Sequence, residues 1–336
     1  MAPINEAAWI PERKGNLKIG PAPSYTVHDD EVLIKNQAFA IQPLDARTRA
    51  VGYIDLPYPF ILGVGVAGTV ETVGHSVTRI QVGDRVVSDT PAYQLKDSRY
   101  GGWQRFVLSK EQTTAKLPDS ATFEHAVAIT FPLLTAVAAL NLKLRMAKPG
   151  TGATGKALIW GASSSVGGYA VQYAASAGYH VVATASERKF DDVRKLGATD
   201  LVDYKDDQAV SKLKQFGPYD FAMTASGDPA SANAISELLQ PTGGEFASTR
   251  PASDETNLAA NVRLLYDAYS LTTQKPENAS FTEWWYQQYL PDALAGKVIP
   301  TPFDKRPGGL HAIQDACNDV LEGTVKNKQV LSPQES

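Results

Sequence analysis

A glycine- and serine-rich turn at residues 161–168 has the residue types needed to hold a phosphate group. It follows the apolar run Ala157–Trp160 and precedes an alanine-rich stretch, which predicts a strand, a tight turn and a helix. Free N–H groups at the start of such a helix face a pyrophosphate. We expect Gly161 to permit the turn and Gly167 to let the helix approach the strand. Ser163 replaces the second glycine of G-x-G-x-x-G, so the strand-turn-helix context favours a dinucleotide site over a plain turn.

The end of the next strand indicates which dinucleotide would bind. An NAD site usually has an acidic residue there for the ribose 2′-hydroxyl, whereas this strand ends in Ala185-Ser186 without one. Ser186 can donate a hydrogen bond to a 2′-phosphate, and Lys189 can supply positive charge. Tyr204 ends the following strand, where its ring could flank the adenine ribose. These residues favour NADPH over NADH, although Glu187 is an opposing charge and the basic residues could form a solvated helix start.

Strands and helices alternate after residue 156, which predicts a parallel sheet with helices on both faces. The predicted strands are 157–160, 181–185, 201–204, 220–224 and 244–248, and the predicted helices are 166–177, 190–196, 208–216 and 230–239. The first third is β-rich, with strands at 32–35 and 68–74 and a turn entering a strand at 81–87. A helix is predicted at 125–144, broken or entered at Pro132. Beyond the sheet we expect an aromatic helix at 282–295, a helix at 310–322 closed by Gly323, and a strand at 325–331.

Composition excludes several classes of protein. The chain has 336 residues, a formal net charge of −4 and 43 % hydrophobic residues, which indicates about two globular domains and no basic footprint for nucleic acid. One cysteine, Cys317, excludes an internal disulfide framework and suits a reducing compartment. The first eleven residues lack a signal-peptide core, and no stretch suggests a membrane span. We therefore expect a cytosolic protein that needs neither nucleic acid nor membrane as a partner.

The sequence resembles the medium-chain dehydrogenase/reductase family, in its zinc-independent quinone and enoyl reductase branch. The resemblance covers nearly the whole chain, including the serine-rich turn, and its segments are 45–53, 68–74, 82–86, 101–107, 131–136 and 323–330. Within the family, residues 159–166, 185–191 and 310–330 are similar to fungal members, among them trans-acting enoyl reductases that serve polyketide synthases.

The resemblance implies an α/β architecture of two domains. A GroES-like, β-rich catalytic domain would comprise residues 1–126 and 272–336. A Rossmann domain with a doubly wound parallel sheet would comprise residues 127–271 and bind NADPH. The cofactor contacts that the resemblance implies are at Asp45, Thr48, Thr135, Gly161, Ser163, Ser164, Ser165, Val166, Ser186, Lys189, Tyr204, Val325 and Lys326.

Zinc-using members of the family need thiolate and imidazole ligands in a tetrahedral shell. Their catalytic cysteine segment aligns near Gln42–Asp45, which contains neither Cys nor His, and their Gly-His-Glu is Gly63-Val64-Gly65 here. The structural zinc lobe is missing as well. The five histidines are scattered without ligand spacing, at positions 28, 75, 125, 180 and 311. We therefore expect no metal in this chain.

Without a metal, the natural substrate is an activated C=C bond whose conjugated carbonyl is polarised by hydrogen bonds. Tyr53 is the first candidate for a donor near the substrate, with a packed surface tyrosine as the equal alternative. Asp45 and Arg49 are expected to form a structural ion pair. The aromatic run Trp284–Tyr289 either lines a substrate mouth or packs in the core, and Cys317 is expected to be buried.

The leading functional hypothesis is an NADPH-dependent enoyl reductase acting on an enone or enoyl thioester, free or carried by a polyketide synthase acyl carrier domain. A quinone or free-enone oxidoreductase is the second hypothesis, and an NADPH-binding protein without redox turnover is the third. An acidic carrier would fit a basic patch. Arg47, Arg49, Arg99 and Arg105 are the candidates for one, against the alternative of scattered surface charge.

Overall fold

The computed structural model describes residues 4–335, apart from the side chain of Ser270. The strands are β1 (Asn5–Ile10), β2 (Lys18–Ala22), β3 (Glu31–Ala40), β4 (Phe60–Ile61), β5 (Gly65–Val73), β6 (Arg85–Asp89), β7 (Phe106–Lys110), β8 (Thr114–Lys116), β9 (Lys156–Trp160), β10 (His180–Ala185), β11 (Asp200–Asp203), β12 (Phe221–Thr224), β13 (Gly244–Ser248), β14 (Val262–Leu265), β15 (Phe303–Lys305) and β16 (Lys328–Leu331).

The α-helices are α1 (Pro43–Val51), α2 (Ala92–Leu95), α3 (Phe123–Val137), α4 (Ser165–Ala177), α5 (Phe190–Lys195), α6 (Ala209–Phe216), α7 (Pro229–Leu238), α8 (Ala279–Trp284), α9 (Leu290–Asp292) and α10 (Ile313–Glu322). Segments of π-helix are Ala138–Lys143, Trp285–Tyr289 and Ala293–Lys297. Segments of 3₁₀-helix are Ser98–Tyr100, Glu111–Thr113, Glu187–Lys189, Tyr269–Gln274, Pro276–Asn278 and Gly309–Ala312.

The chain divides into two compact units, one formed by residues 1–131 with 273–336 and the other by residues 132–272. The first unit holds a seven-stranded sheet in the order β15-β16-β3-β5-β6-β8, with β7 also paired to β3, and a smaller sheet in the order β2-β1-β4. Its pairings are antiparallel except for β15 with β16. Fully buried apolar side chains, among them Phe39, Phe60 and Trp103, form its main core.

The second unit is a six-stranded parallel sheet in the order β11-β10-β9-β12-β13-β14. Its strands are short apolar runs because both faces of a parallel sheet are covered by helices. Leu158, Val182 and Phe246 lie in the core that α6 and α7 cover. The strand order reverses at β9, between β10 and β12, which is where open α/β sheets bind ligands at the carboxyl ends of their strands. The predicted strands and helices of this unit are confirmed to within about two residues of their ends.

A long helix and the last strand are among the elements that differ from the sequence-based expectation. The helix expected at 125–144 begins at Phe123 and continues through Pro132 without a break, then ends in π-helix. The stretch Phe123–Lys143 is long and apolar enough to cross a membrane by composition, so the expectation that no stretch suggests a span was wrong on that criterion. However, 72 % of its apolar window is buried inside the protein, as in a core helix. The last strand begins at Lys328 and not at Val325, because residues 325–327 form the bend that precedes it.

Candidate active site

The predicted phosphate-binding turn is formed at the carboxyl end of β9. Gly161 has φ 81°, in the left-handed region, and the Ser164 side chain caps α4. The Ser164 hydroxyl accepts from the Gly167 N–H (3.1 Å) and donates to the Gly161 carbonyl oxygen (2.9 Å). Ser163 and Ser164 are exposed, and Ser165 and Val166 are half-buried at the first turn of the helix. The N-terminus of α4 therefore presents free N–H groups and hydroxyls to an anion.

Gly167 is required by the close approach of α4 to this turn. A Cβ atom at Gly167 would lie 2.2 Å from the Gly161 carbonyl oxygen and 2.9 Å from the Ala162 Cα. A Cβ atom at Gly161 would lie 3.2 Å from the Ser226 nitrogen. The turn thus has no room for side chains at these two glycines, which is the geometry that the sequence pattern predicts for a nucleotide loop.

Ser186 and Tyr204 follow the carboxyl ends of β10 and β11, so the parallel pairing places them at the same edge of the sheet as the turn. Ser186 is half-buried, and 45 % of Tyr204 is exposed. Lys189 lies in the 3₁₀-helix after β10 and forms an exposed ion pair with Asp192 (2.9 Å). An exposed ion pair contributes little to stability, so Lys189 can be redirected toward a ligand at small cost.

Sequence reasoning missed a carboxylate at this edge. Asp203, the last residue of β11, pairs in register with Ala185 and accepts hydrogen bonds from the backbone N–H groups of Glu187 (3.2 Å) and Lys205 (2.9 Å). The end of β10 itself carries no acidic residue, because the carboxylate belongs to the neighbouring strand. Two backbone donors offset part of its negative charge. Asp203 therefore stands at the same edge of the sheet as Ser186.

The remaining predicted cofactor residues lie in other elements. Thr135 is half-buried in α3, and Val325 and Lys326 lie in the bend before β16, half-buried and exposed respectively. Thr48 is buried in α1, and its hydroxyl donates to the Leu44 carbonyl oxygen (2.8 Å). That hydrogen bond satisfies the Thr48 hydroxyl within its own helix.

Asp45 lies completely buried in the first turn of α1. The Tyr93 hydroxyl donates to Asp45 Oδ1 (2.6 Å) and accepts from the Gly63 N–H (3.2 Å). Asp45 Oδ2 has no hydrogen-bond partner among the described residues. Burial raises the pKa of Asp45 to about 7, against the opposing effects of the Tyr93 hydrogen bond and the Lys328 charge.

The expected ion pair between Asp45 and Arg49 is not formed, so that prediction was wrong. The Arg49 guanidinium turns instead to the Asn318 side chain, which α10 supplies. Arg49 lies one helical turn after Asp45, but Tyr93 holds the carboxyl from the other side. A hydrogen bond with a tyrosine replaces the expected ion pair.

Lys328 is a candidate site residue that the sequence did not reveal. Its Nζ donates to Gln42 Oε1 (2.8 Å), which joins the first residue of β16 to the residue that precedes α1. Burial lowers the pKa of Lys328 to about 8, and the nearby Asp45 opposes that shift. A lysine with such a pKa changes charge close to neutral pH. Gln42 lies in the segment that aligns with the catalytic cysteine segment of zinc-using members. Nothing in the sequence indicated that Lys328, 286 residues later, would contact it.

Three further predictions concerned Tyr53, Cys317 and the aromatic run Trp284–Tyr289. Tyr53 is 52 % exposed and makes no hydrogen bond with the described part of the chain, as expected of a surface tyrosine. Cys317 is fully buried in α10, as predicted. Trp285 and Tyr286 are buried, and Trp285 packs against Phe281 and Tyr289. The aromatic run therefore supports the packing interpretation for its central residues.

Tyr286 also donates its hydroxyl proton to a carboxyl group that sequence reasoning did not single out. The acceptor is Asp89 Oδ2 (2.8 Å), at the end of β6. Burial raises the pKa of Asp89 to about 7, and the Tyr286 hydrogen bond opposes the shift. The first unit thus contains two buried aspartates, each held by one tyrosine.

The four arginines named as candidates for a basic patch have mostly local partners. Arg49 is buried, Arg99 pairs with Asp97 (2.8 Å) and Arg105 pairs with Glu6 (2.9 Å). Arg47, half-buried in α1, forms no ion pair with the described residues, and the partner of Arg49 is the uncharged Asn318. The alternative of scattered surface charge fits these side chains better than a patch for an acidic carrier.

The donor set does not fit a zinc ion. Within residues 4–335, no three His, Cys, Asp or Glu side chains come together as a metal-binding group. Gln42 binds Lys328, Val64 supplies an aliphatic side chain, and Cys317 is buried without a second thiol. A tetrahedral zinc site needs three or four thiolate, imidazole or carboxylate ligands.

The chain thus combines a β-rich unit with a second unit that holds a parallel sheet and a glycine- and serine-rich turn, the arrangement of elements found in nucleotide-dependent oxidoreductases. Family models agree with this class: the alcohol dehydrogenase GroES-like domain matches residues 28–119 and the zinc-binding dehydrogenase domain matches residues 165–258. The chain belongs to the medium-chain dehydrogenase/reductase family, and the predicted fold class is confirmed.

Relatives with curated names are fungal. The chain is 31 % identical to the trans-enoyl reductase himH of Aspergillus japonicus over 98 % of this chain and 97 % of the relative. It is 36 % identical to the trans-enoyl reductase tndF of Aspergillus flavipes over 99 % and 100 % of the two chains. Among solved structures, mycobacterial Rv1454c complexed with NADPH has a TM-score of 0.76 and 25 % identity, covering 98 % of this chain and 100 % of the other.

Proposed function

We propose that this protein is an NADPH-dependent, zinc-independent reductase of an activated C=C bond, of the enoyl reductase type. The observation that supports the proposal is the turn at Gly161 and Ser164, from which α4 begins with the N-terminal geometry that suits a phosphate group. The similarity to fungal trans-enoyl reductases over nearly the whole chain supports the reaction type.

For the cofactor, the absence of an acidic residue at the end of β10 supports NADPH over NADH. Gly161 and residues 163–166 would hold the pyrophosphate, while Ser186, Lys189 and Tyr204 would surround the 2′-phosphate. NADPH, when bound, supplies the hydride for the reduction. The structural neighbour complexed with NADPH supports the same choice. We further propose Asp45, Thr48, Thr135, Val325 and Lys326 as contacts toward the rest of the cofactor.

For the substrate, the protein would supply orientation and hydrogen-bond donors in place of a Lewis acid. Hydride addition at the β-carbon moves the C=C electron pair toward the carbonyl, and an enolate forms that hydrogen bonds stabilise. An enone or an enoyl thioester meets this requirement. We propose that the protein works in the cytosol, on a free substrate or on one carried by a polyketide synthase acyl carrier domain.

The test is NADPH absorbance at 340 nm, followed with the purified protein and three substrates side by side. These are trans-2-hexenoyl-N-acetylcysteamine thioester, the enone 3-penten-2-one and 1,4-benzoquinone. Consumption of NADPH with the thioester is the expected result, and NADH in parallel tests the cofactor choice. Consumption with the quinone alone would move the protein to quinone reduction. NADPH binding without any consumption would replace the enzymatic proposal by a binding role.

A further inference from the structure

The loops that follow β10 and β11 are tied together by one carboxylate. Asp203 Oδ2 accepts from the Glu187 N–H (3.2 Å), and Asp203 Oδ1 accepts from the Lys205 N–H (2.9 Å). Asp203 also pairs in register with Ala185, so the two loops leave the sheet side by side. Lys205, in the second loop, therefore lies next to the residues that follow β10.

The ammonium group of Lys205 lies over the ring of Tyr204. Its Nζ is 5.9 Å from the centroid of that ring, within the range of a cation–π contact. Tyr204 is 45 % exposed and Lys205 is exposed, so a ligand in solvent can reach both side chains. A cation–π contact at an exposed site is weak, so it orients the ammonium group without neutralising its charge.

Lys205 is one of two lysines that line an open cleft of about 420 Å³ at this edge of the sheet. The other, Lys212, forms an ion pair with Asp206. Lys205 forms no ion pair with the described residues, and the same holds for Arg188, which does not line the cleft. The cleft is therefore open to a ligand, and Lys205 offers it an ammonium group that no described carboxylate pairs.

An anionic ligand needs such a cation here, because carboxylates line the cleft as well. Glu187 and Asp203 belong to its wall, and their charges repel a phosphate group. The two backbone N–H groups on Asp203 offset only part of that repulsion. Lys189 is already paired with Asp192 (2.9 Å). The charge of Lys205 therefore decides whether this edge of the sheet attracts or repels a phosphate.

We propose that Lys205 is a specificity-determining residue that binds the 2′-phosphate of the cofactor beside the Tyr204 ring. This inference rests on the proposed function, in which Ser186, Lys189 and Tyr204 surround that phosphate, and it adds a second cation to them. A phosphate monoester carries close to two negative charges at neutral pH, and an ammonium group meets it with three N–H donors. The ribose of NADH has a hydroxyl group there, which gains far less from a cation. Lys205 thus selects NADPH by attraction, whereas the lack of an acid at the end of β10 only removes a repulsion.

Fragments of the cofactor isolate this interaction from the reaction. Adenosine 2′,5′-bisphosphate carries the 2′-phosphate, and adenosine 5′-monophosphate lacks it. Calorimetric titration of the purified full chain gives the Kd of each. In Lys205→Gln, which stays polar and loses the charge, the Kd of the bisphosphate should rise roughly tenfold, because a charge-assisted hydrogen bond is lost. The Kd of the monophosphate should stay within about twofold of wild type.

Two further variants separate a specific contact from general charge. Lys205→Arg keeps a cation next to Tyr204, so the Kd of the bisphosphate should stay within about threefold of wild type. Arg145→Gln removes an equal charge from the opposite edge of the same sheet, where Arg145 is exposed near the start of β12 and forms no ion pair with the described residues. It should leave both Kd values unchanged at 0.15 M salt, where charges are screened beyond about 8 Å.

An unchanged Kd of the bisphosphate in Lys205→Gln would overturn the inference. Equal weakening of the bisphosphate and the monophosphate in that variant would overturn it too, because the contact would then not be with the 2′-phosphate. A wild-type protein that binds the two nucleotides equally well would reject NADPH as the preferred cofactor in the proposed function, and the role of Lys205 with it. Binding is measured without substrate, so a failure of enoyl reduction is a separate result.

Discussion

The Tyr93 hydroxyl lies 2.6 Å from Oδ1 of Asp45, a carboxyl group that is completely buried. The same hydroxyl accepts from the Gly63 N–H, so it joins α1, α2 and the segment before β5. Asp45 lies in the first turn of α1, which packs on α10. Tyr93 belongs to α2, a helix of four residues. One hydroxyl therefore fixes the position of three short elements.

Tyr93→Phe should destabilise the first unit. It leaves the Asp45 carboxyl and the Gly63 N–H without a partner, which costs about 1 to 3 kcal/mol for a buried group. Urea unfolding at pH 6 measures the change in the free energy of unfolding. Tyr53→Phe is the matched control, because its exposed hydroxyl makes no hydrogen bond with the described residues, and its effect should stay within about 0.5 kcal/mol. Equal effects of the two substitutions would show that the Tyr93 hydroxyl has no structural role.

The two buried aspartates should make stability depend on pH near neutrality. Their folded-state pKa values of about 7 lie above the usual value near 4, so the folded state binds more protons than the unfolded state between these values. The free energy of unfolding should therefore fall as pH rises from 5 to 8, by about 2 to 4 kcal/mol for each group at most. Urea unfolding of the wild type and of Asp45→Asn between pH 5 and 8 measures the free energy of unfolding. Its decrease with pH should be shallower in Asp45→Asn. Parallel curves would contradict the raised pKa of Asp45.

The sequence predicted the parallel sheet well because its signals are local. The predicted strands are short apolar runs, and the helices follow turns. At Gly167 the turn leaves no room for a side chain beside the Gly161 carbonyl oxygen. The elements that were missed in the first unit include helix α1 and the two-residue strand β4, whose pairing with β1 depends on distant parts of the chain. No local pattern encodes such a partner.

The buried polar side chains of the candidate site were the least predictable feature. Asp45 was recognised, but its partner is Tyr93 and not Arg49, since α2 approaches from 48 residues away. Asp89 and Tyr286 are separated by 197 residues. Burial and an unoccupied carboxyl oxygen identify these groups, and both properties arise only when the chain has folded.

Gly167→Ala should abolish cofactor binding, because its methyl group would collide with the Gly161 carbonyl oxygen and displace α4 from the turn. We expect the Kd for NADPH, measured by fluorescence titration, to rise at least tenfold. Gly168→Ala is the control on the same helix. Its methyl group would meet the end of the Leu196 side chain, at 3.0 Å, which can move aside. If both variants bind NADPH like the wild type, α4 does not supply the phosphate site.

Replacing Ser186 by aspartate should reverse the cofactor preference. The new carboxylate would stand at the end of β10, where it can accept from a ribose 2′-hydroxyl but repels a 2′-phosphate, and Asp203 next to it adds to the repulsion. We expect kcat/KM with NADPH to fall at least tenfold while that with NADH rises or is kept. Asp203→Asn should raise the ratio of kcat/KM with NADPH to kcat/KM with NADH, because it removes a negative charge from the same edge of the sheet. Asp207→Asn, an exposed charge beyond this strand end, should leave the ratio unchanged. A ratio that is insensitive to both Ser186→Asp and Asp203→Asn would place the 2′ end of the cofactor away from this edge of the sheet.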